Sequence, residues 1–228
     1  MSLKKQNNTW QGNARIIIVD DHPIIRQGLA ELIDHEKDLA VCGQANDAPA
    51  AMDAVKTLNP DLIIVDISLK KKNGIELIKD LKAQYPDLPV LTLSMHDESL
   101  YAERALRAGS KGYVMKAEAT ERVIDAIRKV LNGQIYVSDK IAEKMMHKFV
   151  GAKPKFGGST IDQLSDRELE VFLLIGQGHG TCQIAEKLFL SVKTIETYRA
   201  HIKEKLNLSG GPALLQYAIQ WANTSNRE

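Results

Sequence analysis

Two rhythms of apolar and polar positions divide the chain. In the first half, short apolar runs rich in β-branched residues alternate with stretches whose apolar residues recur every three or four positions. These are the marks of buried strands and of amphipathic helices. The runs predict strands at Ala14–Asp20, Ala40–Ala45, Leu62–Asp66, Val90–Ser94 and Gly112–Met115. The longer period predicts helices at Pro23–Asp34, from the cap Asp47 to Leu58, and at Gly74–Tyr85, Leu100–Ala108 and Thr120–Leu131. Pro23 suits a first helical turn, Asp47 carries the short side-chain oxygen that caps one, and Asn59-Pro60 ends the second helix. On the first helix Ile24, Ile25, Leu29, Leu32 and Ile33 are assigned to the inward side. Five strands that each lead into a helix predict an α/β class, a doubly wound five-stranded parallel sheet with helices on both faces.

The second half has no strand rhythm. Val137 to Phe149 reads as one more helix, and Gly151 to Ser159 is rich in Gly, Pro and Lys, as flexible linkers are. Four short helices follow at Asp166–Ile175, Thr181–Leu188, Val192–Leu206 and Pro212–Ala222. Ser165 and Glu168 have the spacing of a capping box. Leu214, Leu215, Ile219 and Trp221 on the last helix are most simply core, although such a stripe also suits the pairing of two copies. The expected organisation is an α/β domain over residues 14–132, a linker with a helix over 133–159, and a small all-α four-helix domain over 160–225.

Composition narrows the setting. A chain of 228 residues suits two domains, and Lys+Arg 30 against Asp+Glu 29 gives no overall bias toward nucleic acid, so any such partner must be argued from a local motif. Cys42 and Cys182 lie far apart without metal-ligand spacing, as reduced thiols do. No apolar run approaches the roughly 20 residues of a membrane helix, and Met1 to Asn13 lacks the apolar core of a signal peptide and reads as disordered. A soluble, cytoplasmic protein is expected.

The strand ends carry the chemistry. The run from Leu62 stops at Asp66, and the run from Arg15 stops at Asp20 and Asp21. In an open α/β sheet ligands sit outside the carboxyl ends of the strands, so two such strands side by side gather three carboxylates in the crevice. Their repulsion is relieved by a divalent cation or by protonation, and an all-oxygen site that keeps several waters suits Mg²⁺. Ser94 ends the fourth strand and Lys116 follows the fifth, on the same edge. A carboxylate nucleophile with Mg²⁺, a lysine and a hydroxyl is what phosphoryl transfer requires.

Val19-Asp20-Asp21-His22-Pro23, Val65-Asp66-Ile67, Leu93-Ser94 and Lys111-Gly112-Tyr113-Val114-Met115-Lys116 resemble, in order and spacing, the receiver domain of two-component response regulators, a flavodoxin-like fold. The resemblance implies that Asp66 accepts a phosphoryl group from a sensor histidine kinase. It implies that Asp21, Asp66 and the Ser68 carbonyl hold Mg²⁺, with Asp20 acting through metal-bound water. Lys116 would pair with phosphoryl oxygens, Ser94 would turn its hydroxyl toward them, and Tyr113 would swing inward as Ser94 moves. The family usually carries proline at the position of Lys70; here Lys70-Lys71-Lys72 makes that loop basic.

Gln183 to Glu196 reads as helix, tight turn, helix, with Ile184, Ala185 and Leu188 facing Val192 and Ile195 across the turn and Ser191 as an N-cap. On the second helix Ile195, Ile202 and Leu206 share one side. Lys193, Glu196, Thr197 and Ala200 share another, free to enter a major groove. Together with Leu164 to Val171, the segment resembles a LuxR-type DNA-binding domain. That resemblance implies base contacts at Glu196, Thr197 and Ala200, and phosphate contacts at Lys193, Thr194, Arg199 and Lys203. Tyr198 stands where these proteins commonly carry histidine and is given a phosphate or packing role. Glu196 can accept from a cytosine amino group, and Ala200 can touch a thymine methyl. The whole resembles a NarL/FixJ-type regulator, implying a phosphorylation switch, double-stranded DNA as partner and a homodimer on DNA.

Each residue has a plainer reading. A lone strand-end aspartate is more often a cap, a lone lysine a surface charge, and His22 or His96 a solvated histidine; the joint pattern carries the reading. An aspartate-nucleophile phosphatase would want a second acid two residues after Asp66, where Ser68 stands. No enzyme is expected beyond autophosphorylation from small donors and autodephosphorylation. A silent receiver on a phosphorylation-independent regulator, or an interaction module with a non-binding helical tail, are the remaining rivals.

Overall fold

The computed structural model describes residues 12–69, 73–95, 98–149 and 160–225. The Lys70-Lys71-Lys72 run, His96 and the linker at 151–159 lie outside these residues. The chain divides into two compact units after Phe149.

The first unit contains β1 (Ala14–Val19), α1 (Pro23–Asp34), β2 (Leu39–Ala45), α2 (Ala48–Leu58), β3 (Leu62–Asp66), α3 (Gly74–Gln84), β4 (Val90–Ser94), α4 (Glu98–Ala108), β5 (Gly112–Met115), α5 (Ala119–Leu131) and α6 (Asp139–Phe149). A short 3₁₀ turn, Lys116–Glu118, joins β5 to α5. All five strands pair in parallel, in the order β2-β1-β3-β4-β5. Successive strand residues point to opposite faces, so the sheet has two cores. Ile16, Ile18, Ile64 and Leu93 pack with Leu29, Ile33, Val123 and Ile127 of α1 and α5. Ile17, Val19, Ile63 and Val65 pack with Val55, Leu77, Ile78 and Leu81 of α2 and α3. Every residue of β3 and β4 is buried, which explains the unbroken apolar run Leu62–Val65 and the mostly apolar β4, where Thr92 is buried as well.

Caps set the helix starts. Asp47 accepts the Ala50 N–H at 3.0 Å, as its sequence position predicts. Asn73 accepts the Ile75 N–H at 2.8 Å and starts α3 beside the end of β3. There Gly74 is required by space, since a Cβ would lie 2.0 Å from the Asp66 carbonyl oxygen. Ile24 departs from expectation. It is 86% exposed, because Leu29 and Ile33 set the inward line of α1 and position 24 falls outside it.

The second unit opens with a 3₁₀ turn at Thr160–Gln163 and continues with α7 (Asp166–Gly176), α8 (Thr181–Leu188), α9 (Val192–Lys205) and α10 (Gly211–Ser225). Ser165 and Glu168 form the predicted capping box, and Ser191 caps α9. Phe172 lies 6.0 Å from the Tyr217 ring and 5.9 Å from Trp221, locking α7 against α10. The backbones approach closely at this crossing: a Cβ on Gly176 would come within 2.7 Å of the Ala218 carbonyl oxygen. Two assignments change. On α10 the core positions are Leu214 and Ala218, one turn apart, which turns Leu215 and Ile219 outward to 42% and 39% exposure. Val192, at the first position of α9, is 42% exposed and is not part of the buried core that Ile195 joins.

Candidate functional site

The order of the sheet reverses at β1, which opens a crevice between the carboxyl ends of β1 and β3. Val19 pairs with Val65, so Asp20 and Asp66 emerge side by side. Both are 1% exposed. Lys116, arriving from the turn after β5, places its Nζ 2.6 Å from Asp20 Oδ2 and 2.7 Å from Asp66 Oδ2. Asp66 Oδ1 accepts the Ser68 N–H at 3.1 Å. Asp20 Oδ1 accepts the His22 N–H at 2.8 Å, and His22 Nδ1 lies 3.1 Å from Asp20 Oδ1 and 2.9 Å from Asp21 Oδ1. Burial pushes the Asp66 carboxyl above the usual carboxylate range; the Lys116 charge opposes this, and the neighbouring Asp20 charge reinforces it.

Ligand atoms of Asp20, Asp21, His22 and Asp66 all lie within 4.8 Å of one another. Three carboxylates face one ammonium at the edge of a buried crevice. Asp20 Oδ2, buried, accepts no aligned hydrogen bond although the Lys116 ammonium lies beside it. This donor set and charge fit a divalent cation with oxygen ligands.

Ser94 is fully buried at the end of β4, one residue past Leu93, the register partner of Asp66. Tyr113 in β5 is 2% exposed, with its ring inside. Arg26 was not singled out in the sequence. Its Nη1 donates to the Asp20 carbonyl at 2.6 Å, and its only signal was a basic residue on the first turn of the helix that leaves the site.

In the second unit α9 turns one side to solvent. Lys193, Glu196, Thr197 and Ala200 are exposed, while Thr194, Tyr198, Arg199 and Lys203 are half-buried along its flanks. Ser191 Oγ accepts the Thr194 N–H at 3.0 Å, and Thr197 Oγ1 donates to the Lys193 carbonyl at 3.0 Å. Ile195 and Ile202 hold the opposite side in the core. The helix is also tied to α7 by charge, since Lys205 Nζ lies 2.6 Å from Glu168 Oε2 and His201 Nδ1 3.7 Å from Glu168 Oε1. Among described residues no helix is long and apolar enough to cross a membrane.

Two families match. The response regulator receiver domain covers residues 16–128, and the luxR family of bacterial regulatory proteins covers residues 162–218. The oxygen regulatory protein NreC of Staphylococcus carnosus (strain TM300) is 37% identical over 210 residues, 90% of this chain and 97% of that protein. The chain is a two-component response regulator of the NarL/FixJ type. Solved structures of RcsB from Salmonella typhimurium share its architecture, with 27% identity, a TM-score of 0.65, and coverage of 92% of this chain and 98% of that one. RcsB from Salmonella enterica serovar Typhimurium bound to promoter rprA with phosphomimetic BeF₃⁻ also matches, at 27% identity, 91% and 98% coverage and a TM-score of 0.61.

The regulator thus joins a receiver to a LuxR-type helix-turn-helix domain, the build of a phosphorylation-switched transcription regulator. Of the sequence-predicted receiver residues, Asp20, Asp21, Asp66 and Lys116 converge in one crevice, with Ser68 at its rim. Ser94 and Tyr113 lie on the two neighbouring strands, buried beside it.

Proposed function

We propose that Asp66 is the acceptor through which a sensor histidine kinase switches this regulator's binding to double-stranded DNA. The observation that carries the reading is the convergence of Lys116 on Asp66 and Asp20 in a buried crevice opened where the sheet order reverses. Asp66 Oδ2 would attack the phosphorus of the kinase phosphohistidine, and the histidine nitrogen would leave. A small phosphodonor would serve in the same way, which is the extent of enzyme-like activity. Asp21, Asp66 and the Ser68 carbonyl would hold Mg²⁺, with Asp20 reaching it through water. The cation would supply charge neutralisation for the transferring group. Lys116, already poised between two carboxylates, would follow the new phosphoryl oxygens. Ser94 would turn its hydroxyl to the same group, and Tyr113 would take up the space vacated.

On DNA, Glu196, Thr197 and Ala200 would face base edges. Lys193, Thr194, Tyr198, Arg199 and Lys203 would lie along the phosphates. The BeF₃⁻ complex of RcsB with a promoter supports this pairing of receiver chemistry and DNA binding. Two copies on half-sites one helical turn apart would complete the complex.

Intact mass after incubation with Mg²⁺ and acetyl phosphate tests the acceptor. One phosphoryl adduct on the wild type and none on Asp66→Asn is the expected result. An adduct of equal yield on the variant would move the acceptor elsewhere.

A further inference from the structure

Arg26 reaches back from the first turn of α1 to the crevice, yet the chemistry described above gives it no part. The paired ladder of β1 ends at Val19, beside Ala45 and Val65. From there the chain must leave the sheet and start a helix while it aims the adjacent carboxylates of Asp20 and Asp21 inward. Three hydrogen bonds fix that turn. The Asp20 N–H donates to the Ala45 carbonyl at 3.1 Å, the His22 N–H donates to Asp20 Oδ1 at 2.8 Å, and Arg26 Nη1 donates to the Asp20 carbonyl at 2.6 Å. The Arg26 backbone N–H donates to the His22 carbonyl at 3.1 Å and closes the first turn of α1, to which the His22 side chain gives no cap. Arg26 thus grips the turn with both its backbone and its side chain.

We propose that Arg26 is a positioning residue for the cation site: its guanidinium holds the Asp20–Asp21 peptide so that the Asp21 carboxylate faces the crevice. This rests on the reading of the crevice as an Mg²⁺ site and names what aligns one of its ligands. The Asp20 carbonyl and the Asp21 N–H belong to one planar peptide unit, because the amide bond does not rotate freely. Pinning the oxygen therefore pins the whole unit, and with it the backbone from which the Asp21 side chain departs. Asp21 Oδ1 lies 2.9 Å from His22 Nδ1, inside the group of ligand atoms that all lie within 4.8 Å of one another. A guanidinium donor makes a charge-assisted bond, roughly twice as strong as a neutral one. Groups that orient metal ligands from behind are typically worth about 10–100-fold in metal affinity. The sign of the effect separates positioning from charge. A guanidinium near a divalent-cation site repels the ion, so on charge alone its removal would tighten Mg²⁺ binding. Loss of alignment does the opposite.

Isothermal titration of Mg²⁺ into the full-length protein decides between the two. Arg26→Met keeps the packing of the apolar stem and removes the donor and the charge. It is expected to bind Mg²⁺ about tenfold more weakly than the wild type, while the α1 amides keep their exchange protection. Arg26→Lys restores one charged donor and should recover most of the loss, since a single N–H carries the contact. Mg²⁺ bound by Arg26→Met as tightly as by the wild type, or more tightly, overturns the proposal, and so does a Lys variant as weak as the Met variant. If the Met variant loses α1 protection, Arg26→Gln, neutral and shorter, is titrated in its place and answers to the same outcomes. Intact mass with acetyl phosphate, followed against Mg²⁺ concentration, carries the result to phosphoryl transfer. The half-maximal Mg²⁺ should rise about tenfold in Arg26→Met, and excess Mg²⁺ should restore the adduct. An adduct that stays low at every Mg²⁺ concentration overturns the positioning role and makes Arg26 a participant in transfer itself. No adduct on the wild type overturns the Asp66 reading, while the Mg²⁺ titration still decides the role of Arg26. No Mg²⁺ binding by the wild type overturns the cation site, and the role of Arg26 with it.

Discussion

The two units hold their functional groups in opposite ways. In the receiver, Asp20, Asp66 and Lys116 are at most 3% exposed in their side chains, and each sits against another of the three. In the helix-turn-helix unit, Lys193, Glu196, Thr197 and Ala200 stand in solvent, and the hydrogen bonds from Thr194 to Ser191 and from Thr197 to Lys193 stay within the helix and its cap. A buried charged cluster is coupled to its fold, because removing one member leaves the others buried without their partner. An exposed polar face contributes nothing to folding until DNA arrives. On the function proposed above, substitution in the first region is therefore a stability event as well as a functional one, and substitution in the second is a binding event alone.

Lys116→Met breaks the comparison hardest if it is wrong. It leaves two buried carboxylates facing each other without their ammonium, and losing one partner of a buried pair costs about 3–5 kcal/mol. The expected outcome is a destabilised first unit in metal-free buffer, partly restored by Mg²⁺, with the second unit unaffected. Amide exchange of β3 and of α7, followed through a urea series, separates the two. Equal protection of β3 in wild type and variant would mean that the cluster is not a folding element.

On α9 the expected losses are smaller and confined to binding. Glu196→Ala should cost about 1–3 kcal/mol on a preferred DNA site and relax discrimination at one base position. Lys193→Ala should weaken all sequences alike and lower the salt slope by about one. Both should leave the unfolding free energy of the unit within the range of a surface change, about 0.5 kcal/mol. A variant that unfolds the unit would show that this face is structural after all.

Glu168 sharpens the contrast, because it carries receiver-like chemistry into the second unit. Burial pushes its carboxyl up, but the Lys205 ammonium and the Ser165 backbone and hydroxyl more than offset this and hold it below its ordinary value. A carboxyl depressed on folding contributes stability above its unfolded value and loses it as pH falls through its folded one. Stability of the second unit should therefore decline below the ordinary glutamate range, and Glu168→Gln should flatten that decline. Far-ultraviolet circular dichroism melts of the wild type and of Glu168→Gln, across pH 3 to 7, would show it; a slope equal in both proteins would assign the decline to other groups.

How much of this was legible in the sequence follows from the same contrast. Burial on both faces writes itself as short runs of apolar and β-branched residues, so β3 and β4 were plain, and a charge that ends such a run marks a sheet edge. Asp20, Asp21 and Asp66 were placed on that ground alone. What could not be read was anything set by the third dimension. Ile24 and Ile25 look equivalent until the line through Leu29 and Ile33 is known, and Leu215 and Ile219 look like core until Ala218 takes the inner position on α10. The reach of Lys116 to Asp20 as well as Asp66, and the grip of Arg26 on the Asp20 carbonyl, depend on side-chain paths between distant elements. The rhythm after Val137 announced a helix, but nothing in it showed that Ser138 and Lys144 would hydrogen-bond to Glu98 and Ser99 of α4.

The smallest effect is expected where the contacts look strongest. Arg128 on α5 reaches Glu36 at 2.6 Å and Asp38 at 2.7 Å and 2.9 Å, more short charge contacts than Lys116 makes. Its side chain is 42% exposed and those of its partners 37% and 51%, so water and salt screen the charges and the arrangement pays side-chain entropy. Arg128→Ala should cost no more than about 1 kcal/mol, and that little should fade as salt is raised. Chemical denaturation at low and high salt measures it directly. A loss as large as that of Lys116→Met would mean that bond number, and not burial, decides which ion pairs hold this receiver together.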